Sequence, residues 1–166
     1  MAIATVSGGG ATSARTLLLK DLDAEALWFA TMSTSQKGRE LAANPSAALL
    51  FYWREQGRQV RVTGDAEAGP RALSESDFLQ RSPNVRVVAS AGNQSDVLPG
   101  LGEFDAAVGE SRRAIEADPG FVPEGWTAYR LRPAVIEFWQ ATRDRDQIRL
   151  RYTRQGDGRA RELLWP

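Results

Sequence analysis

The stretch from Ser33 to Val62, "STSQKGRELAANPSAALLFYWREQGRQVRV", changes character twice. Small polar residues at its start can cap a helix, which the sequence predicts from about Gln36 to Ala43, and Asn44-Pro45 ends that helix. The segments 47–53 and 58–68 follow and predict two β-strands, the first because it is rich in aromatic residues and the second because apolar and polar residues alternate. The stretch therefore predicts a polar helix start that leads into a half-buried sheet.

Strand signals dominate the rest of the chain. Segments 1–6 and 14–20 flank a glycine-rich turn and predict a hairpin. Further strands are predicted at 26–32, 126–133, 135–141, 147–154 and 161–165, and helices at 72–80 and from Leu101 to Pro119-Gly120. Seven or eight strands with two or three outer helices predict a mainly β protein, a closed or nearly closed antiparallel barrel. Because no linker separates domains, we expect one domain over 1–166.

The helix that begins at Leu101 has an amphipathic pattern. Apolar residues recur at three- and four-residue spacing through Phe104, Val108 and Ile115, and Arg112 falls on the same face. We expect this face to be buried, with the aliphatic part of Arg112 lying along it.

Composition limits the function classes. The chain has 166 residues, of which 42% are hydrophobic and 25% charged, and this balance suits one globular domain. With 21 basic and 21 acidic residues the formal net charge is zero, so we expect no nucleic-acid or anionic membrane partner. No apolar run reaches the length of a membrane span of about 20 residues and no signal peptide is recognisable, so we expect a cytoplasmic protein.

Histidine and cysteine are both absent. Their absence excludes disulfides, thiolate chemistry, a histidine general base and the commonest transition-metal ligands. A self-contained hydrolase, a zinc enzyme and a haem protein with a histidine or cysteine axial ligand are therefore disfavoured.

Four polar segments are candidates for a binding site. They are "STSQKGRE" with Lys37 and Arg39 in the first helical turn, "SARTLLLK" with basic residues at both ends, "NQS" at 93–95, and "VIEFWQATRDRDQIRLRY" around Trp139. Taken singly, each suits an ordinary capped helix, a solvated strand end, a turn or a surface salt-bridge ladder. Taken together, they suit a flat aromatic cofactor with a phosphate tail, because a helix start can bind the anion and an aromatic side chain can cover the ring.

The segments "RTLLLK", "STSQKGRELAANP", "LLFYWREQGRQVRV", "NQS", "IEFWQ" and "RLRY" resemble the successive signature segments of the pyridoxine (pyridoxamine) 5′-phosphate oxidase family. The combination "SQKGRE" with "YWRE" is also similar to relatives that act as flavin oxidases in phenazine biosynthesis. The resemblance covers nearly the whole chain. It implies an antiparallel split β-barrel that forms a homodimer, with two FMN molecules at the subunit interface.

The resemblance also implies a set of cofactor-binding residues. Arg15 and Lys37 would bind the FMN phosphate, Gln59 the polar edge of the flavin ring, and Trp139 would supply an apolar wall. Ala30 replaces a frequent aromatic residue of the family. The full set is Arg15, Thr16, Leu17, Leu18, Lys20, Ala30, Thr31, Gln36 (a frequent arginine in the family), Lys37, Gln59, Gln94, Ser95, Trp139 and Arg149.

The chain departs from the family at the implied substrate site. Lys20 and Arg81 match contacts to a substrate phosphate, but Asp77 and Val85 replace a tyrosine and a serine. The Arg-x-His motif of the family is Arg145-Asp146-Gln147 here, and the N-terminal arm that precedes the matching region in family members is absent from this sequence. These differences argue against a vitamin B6 phosphate as substrate.

We therefore expect an FMN-dependent oxidase that takes a hydride from a small nitrogen-containing or heteroaromatic metabolite. Oxygen would be the final acceptor and hydrogen peroxide the product, and no catalytic side chain is required because the flavin carries the chemistry. Two alternatives remain: a pyridoxamine or pyridoxine 5′-phosphate oxidase with a modified substrate pocket, and a non-catalytic flavin-binding protein.

Overall fold

The computed structural model of the chain describes residues 1–92, 94–141 and 147–166. Within them lie nine strands and four helices. The strands are β1 (Ala2–Val6), β2 (Thr12–Thr16), β3 (Asp21–Leu22), β4 (Leu27–Met32), β5 (Ser46–Trp53), β6 (Arg58–Ala68), β7 (Trp126–Ala141), β8 (Gln147–Gln155) and β9 (Gly158–Leu164). The helices are α1 (Gln36–Ala43), α2 (Arg71–Leu79), α3 (Pro83–Ser90) and α4 (Leu101–Ala117). The predicted mainly β class is correct, although the strands and helices are more numerous than predicted.

One sheet contains all nine strands. Its main path runs β2-β1-β5-β6-β7-β4-β3, and β8 pairs with β7 while β9 pairs with β8. The pairs with a defined register are antiparallel; Leu49 of β5 lies opposite Val62 of β6, and Phe138 of β7 lies opposite Leu150 of β8. The sheet therefore joins β5 and β6 to the C-terminal strands through β7.

The second predicted strand, 14–20, is shorter than expected. β2 ends at Thr16, and the backbone N–H of Leu17 donates to the carbonyl of Met1, whereas that of Lys20 donates to the carbonyl of Trp28. Between these two residues the chain leaves β1 and approaches β4. The apolar run at 17–19 is therefore not part of a single strand with 14–16.

The two strands predicted at 126–133 and 135–141 form one strand, β7. The first predicted strand ended at Pro133 and the second began at Val135. In the structure Pro133 lies just before Val135, where pairing with β8 begins. On β6, a Cβ at Gly64 would lie 2.0 Å from the carbonyl oxygen of Arg132, so only glycine allows the approach of these two backbones.

Helix α3 was not predicted from the sequence. Its valines are β-branched and typical of strands, whereas Pro83 lies in its first turn, where proline is tolerated. Arg86 is buried and donates from Nη2 to the carbonyls of Pro119 and Phe121, at 2.7 and 3.0 Å. Val87 is buried as well. Packing and these hydrogen bonds stabilise a helix that local propensity does not indicate.

Helix α4 has the predicted extent, and its predicted apolar face is buried only in part, since Ile115 is buried and Val108 is half-buried. Its buried residues are Ser111 and Ile115, while Phe104 and Arg112 are exposed. Because serine is small, Ser111 can occupy the buried side next to Ile115. The expectation that Arg112 lies along a buried apolar face was therefore wrong.

The chain divides into two compact units, 1–29 with 40–67 and 130–166, and 30–39 with 68–129. The core of the first unit contains Ile3, Phe29, Leu49, Val62 and Leu131, all at most 2% exposed. In the second unit, Phe78 packs edge to face against Trp126 with ring centroids 5.4 Å apart. Among the described residues, no helix is long and apolar enough to cross a membrane.

Candidate functional site

A cluster of polar side chains surrounds the first turn of α1. Lys37 is only 4% exposed, and its Nζ donates to Oε1 of Gln94 at 3.1 Å and to Oγ of Ser35 at 3.2 Å. The buried hydroxyl of Thr31 donates to the same Gln94 oxygen at 3.2 Å. We call Thr31, Ser35, Lys37, Gln94 and Ser95 the Lys37 cluster. The structure thus brings together residues from two of the four polar segments, "STSQKGRE" and "NQS", with Thr31 of β4.

The backbone at the start of α1 is closely fixed. Ser35 accepts a hydrogen bond at Oγ from the N–H of Gly38, as predicted for a capping residue, and donates to the carbonyl of Met32. A Cβ at position 38 would lie 2.3 Å from the carbonyl oxygen of Ser33, so the glycine of "QKGRE" is required by this close approach. These contacts fix the N-terminus of α1. Its first backbone N–H groups and the Lys37 ammonium together make this end of the helix positive.

Ser95 completes the cluster from a distant part of the chain. Its Oγ accepts a hydrogen bond from the backbone N–H of Gln36 at 3.2 Å. Its φ is 80°, a left-handed conformation that is uncommon for a residue with a side chain. A serine held in this way beside a helix N-terminus is consistent with a built anion site, because such strain often marks a functional loop.

A second candidate region lies on β6, β7 and β8. A cavity of about 660 Å³ opens there, and it contains both Gln59 and Trp139, which the sequence argument assigned to one ring. Its lining residues are Trp53, Gln56, Arg58, Gln59, Val60, Phe138, Trp139, Gln140, Ile148 and Leu150. Aromatic walls with a few polar groups suit a flat heteroaromatic ring.

Trp139 and Arg149 have partners that the sequence did not indicate. The indole Nε1 of Trp139 donates to Oε1 of Gln147 at 2.8 Å. Arg149 donates from Nε and Nη2 to Oε1 of the buried Glu137, at 3.1 and 2.9 Å. Arg61 lies 3.7 Å from the same Glu137 oxygen. Glu137 therefore fixes the Arg149 side chain and is buried, whereas a surface salt-bridge ladder would be exposed.

Arg15 lies in a third cluster, with a carboxylate that the sequence analysis missed. Its Nη2 is 3.3 Å from Oε2 of the buried Glu40 and donates to Oγ of Ser13 at 2.6 Å, while its Nη1 donates to the hydroxyl of Thr5. Thr5 and Ser13 both donate to Glu40 in turn. The antiparallel pairing of Thr5 with Ser13 explains the convergence, since paired residues project from neighbouring strands. A contact of Arg15 with a phosphate stays a prediction.

The implied substrate residues Asp77 and Arg81 bind each other and Trp126. Arg81 donates from Nε and Nη2 to Oδ2 of Asp77 at 3.2 and 3.1 Å, and the indole of Trp126 donates to the same oxygen at 3.0 Å. The Arg81 guanidinium also lies over the Trp126 ring, 4.3 Å from its centroid. The Asp77 and Arg81 side chains are only 10% and 17% exposed. The negative charge of the Asp77 carboxylate is therefore compensated by Arg81 of the same chain.

The other predicted positions stay predictions. Leu17 and Ala30 are half-buried, while Thr16, Leu18, Lys20, Gln36, Val85 and Gln147 are exposed. Arg145 lies outside the described residues.

Comparison with known proteins agrees with the sequence argument. Residues 1–115 match the family model described as pyridoxamine 5′-phosphate oxidase, and residues 126–166 match one described as pyridoxine 5′-phosphate oxidase C-terminal dimerisation region. A pyridoxine/pyridoxamine 5′-phosphate oxidase of Thermosynechococcus vestitus is 43% identical over all of this chain and 78% of the relative. Another, from Ralstonia nicotianae, is 44% identical over 95% of this chain and 74% of the relative.

Solved structures show the same fold. PhzG from Burkholderia lata, crystallised in complex with tetrahydrophenazine-1-carboxylic acid, matches with a TM-score of 0.91 and 34% identity over 99% of this chain and 81% of that chain. A pyridoxamine 5′-phosphate oxidase-related, FMN-binding protein from Nostoc punctiforme matches with a TM-score of 0.79 at 19% identity, over 99% of this chain and 87% of that chain. The predicted split-barrel fold is confirmed.

Proposed function

Because the chain belongs to the pyridoxamine 5′-phosphate oxidase family of FMN-dependent oxidoreductases, we propose that it oxidises a small nitrogen-containing or heteroaromatic metabolite that carries no phosphate. Molecular oxygen would be the final electron acceptor and hydrogen peroxide the product. The chemistry that FMN supplies when bound is acceptance of a hydride from a substrate carbon. The side chains then only have to bind and orient the substrate and enclose the reacting groups. This agrees with the lack of histidine and cysteine in the sequence.

The observation that carries this proposal is the Lys37 cluster. A buried ammonium, a buried threonine hydroxyl and a fixed helix start are the groups that a phosphate monoester requires, because its oxygens accept several charge-assisted hydrogen bonds. These residues fit FMN. Taken by itself, the cavity with Gln59 and Trp139 suits a flat heteroaromatic ring, since it offers aromatic walls and amide groups.

The closed group of Asp77, Arg81 and Trp126 supports a substrate without a phosphate. Arg81 already donates twice to Asp77, so a phosphate dianion would have to compete with a carboxylate that is nearly buried. Two like charges 4 Å apart repel by about 4 kcal/mol at an effective dielectric of 20. Gln147 adds to this argument, because its amide carries no positive charge and its oxygen accepts from Trp139.

Oxidation of pyridoxamine or pyridoxine 5′-phosphate is the second candidate. The names of the curated relatives favour it, at 43% and 44% identity over nearly the whole chain. In this case Arg81 would exchange Asp77 for the substrate phosphate.

Peroxide release separates these candidates. The purified protein, saturated with FMN, is supplied with pyridoxamine 5′-phosphate and with non-phosphorylated ring amines and heteroaromatic compounds. We expect slow or no peroxide release with pyridoxamine 5′-phosphate and faster release with at least one non-phosphorylated compound. The variant Asp77→Tyr should gain activity with pyridoxamine 5′-phosphate. Efficient turnover of this compound by the wild type, unchanged in the variant, would establish the second candidate instead.

We also propose that the protein is a homodimer. The match of residues 126–166 to a dimerisation region supports this, as do the exposed apolar side chains of Phe138, Leu163 and Trp165 on the strands and end of that region. Light scattering after size exclusion should give twice the mass of the 18.2 kDa chain. A monomer that binds FMN tightly would contradict the proposed dimer.

A further inference from the structure

Hydrogen peroxide oxidises sulfur-containing side chains, and the sequence has few of them. It contains no cysteine and two methionines, Met1 and Met32. Met32 is the last residue of β4 and directly follows Thr31 of the Lys37 cluster. It is half-buried, so solvent reaches part of the residue. The product of the proposed reaction therefore has a sulfur target next in sequence to the proposed phosphate site.

The backbone of Met32 belongs to the turn that begins α1. Its carbonyl accepts two hydrogen bonds from Ser35, one from the backbone N–H at 3.1 Å and one from Oγ at 2.7 Å. Oγ of Ser35 in turn accepts from Nζ of Lys37 at 3.2 Å. A Cβ at Gly38 would lie 2.7 Å from the carbonyl oxygen of Met32, so these backbones are in close contact. A shift of Met32 is therefore transmitted to Lys37 through Ser35.

The side chain of Met32 packs on Gly125. A Cβ at Gly125 would lie 3.0 Å from Cε of Met32, so the glycine leaves the space beside which this methyl group lies. The carbonyl of Gly125 accepts from the backbone N–H of Ser33 at 2.7 Å, which joins the same two segments. An oxygen added to the sulfur next to this methyl group makes the side chain larger and polar. The close contact with Gly125 would then have to open.

We propose that Met32 is an oxidation site for hydrogen peroxide and that its sulfoxide weakens phosphate binding at the Lys37 cluster. In this step the O–O bond of peroxide breaks, and one oxygen forms an S=O bond with Sδ. The sulfur loses two electrons, and the other oxygen leaves as water. Methionine sulfoxide reductases reverse the modification. The inference rests on the proposed function, because that reaction supplies the peroxide, and accumulated product would lower the affinity of the protein for FMN.

The experiment uses added hydrogen peroxide, so it does not depend on turnover. The wild type and Met32→Leu, whose side chain has a similar volume but no sulfur, are each measured before and after treatment. Peptide mass spectrometry detects added oxygen at Met1 and Met32, and urea denaturation measures stability. Fluorescence titration measures the affinities for FMN and riboflavin. Met1 is half-buried as well and is present in both proteins, so it is the internal control.

We expect peroxide to add one oxygen to Met32 of the wild type. The affinity for FMN should then fall about tenfold and the urea midpoint should fall, whereas the affinity for riboflavin should change less. Methionine sulfoxide reductase should restore both values. Met32→Leu should show neither loss relative to its untreated form. Met32→Gln, which introduces a polar group without oxidation, should bind FMN more weakly than the untreated wild type.

Three results would overturn the inference. The first is a wild type in which Met1 is oxidised and Met32 is not. The second is an oxidised Met32 with unchanged FMN affinity and an unchanged urea midpoint. The third is an equal loss in Met32→Leu, because the damage would then lie at another residue. Failure of the proposed function has a different signature, namely no FMN binding by untreated protein or no peroxide release on turnover. In that case the mass and urea measurements still decide whether Met32 is the oxidation site.

Discussion

Lys37 and Arg81 are both largely buried basic side chains that the sequence assigned to phosphate groups, but their surroundings differ. Lys37 donates to two neutral oxygens, those of Ser35 and Gln94, and lies at a helix start. Arg81 donates to the carboxylate of Asp77 and stacks on Trp126. Neutral acceptors can be displaced by, or shared with, a phosphate at little electrostatic cost, whereas an ion pair with a nearly buried carboxylate must be broken. The comparison indicates that a matching basic residue is not sufficient to infer phosphate binding.

The largest effect is expected at Lys37. In Lys37→Met the side-chain volume is retained and the ammonium is lost, so FMN affinity should fall roughly 100-fold, as expected when two or more charge-assisted hydrogen bonds are removed. Fluorescence titration of FMN measures this. Riboflavin, which lacks the phosphate, should bind both proteins equally.

Arg39→Met is the matched control for this prediction. Arg39 lies on the same helix, but it is exposed and pairs with Asp96 at 3.6 Å. Its replacement should change FMN affinity less than about threefold. Equal losses in the two variants, or equal losses for FMN and riboflavin, would contradict a phosphate site at Lys37.

A smaller effect, on stability, is expected at Asp77. Asp77→Asn replaces the carboxylate that Arg81 and Trp126 share, and it should lower the free energy of unfolding by about 1–2 kcal/mol, since a neutral acceptor remains. Urea denaturation measures the change. Glu75→Gln is the matched control, because it breaks the Arg71–Glu75 pair on the same helix, where both side chains are more than 40% exposed. That change should stay below about 0.5 kcal/mol, and equal effects would contradict a special role for the Asp77 group.

The sequence predicted those parts of the fold whose signals are local. The bounds of α1 follow from a capping serine and a terminating Asn-Pro, and those of β6 from alternation, and both agree with the structure. Helix α3 was missed because its valines favour strands, and contacts of Arg86 with the distant carbonyls of Pro119 and Phe121 stabilise it. Similarly, the strands predicted at 126–133 and 135–141 are one strand, β7, which pairs with β8 from Val135 onward.

The sequence predicted which residues belong to the candidate site, but not which of their side chains form hydrogen bonds with each other. Lys37 was identified from its helix position, and Gln94 from the family resemblance, yet the shared hydrogen bond with Thr31 depends on the tertiary fold. Glu40 was missed because its partner Arg15 lies 25 positions away in the sequence. Asp77 and Arg81 were identified from the family resemblance, but Trp126 could not be foreseen as the third member of their group.

The smallest effect is expected at Asp23, a carboxylate that neutral donors hold at the surface. Trp28 Nε1 donates to its Oδ2 at 2.6 Å, and the backbone N–H groups of Glu25 and Ala26 donate to its Oδ1. These hydrogen bonds, the one from Trp28 first, hold the pKa of Asp23 below its usual value of 3.8. A carboxyl with a depressed folded pKa stabilises the fold above the unfolded pKa, and this contribution is lost as the pH falls through the folded value. Asp23→Asn should therefore be less stable than the wild type at neutral pH, and the difference should vanish in acid below 3.8. Urea midpoints of both proteins from about pH 7 to pH 2 measure this, and a difference that persists unchanged in acid would show that the ionised carboxylate is not its cause.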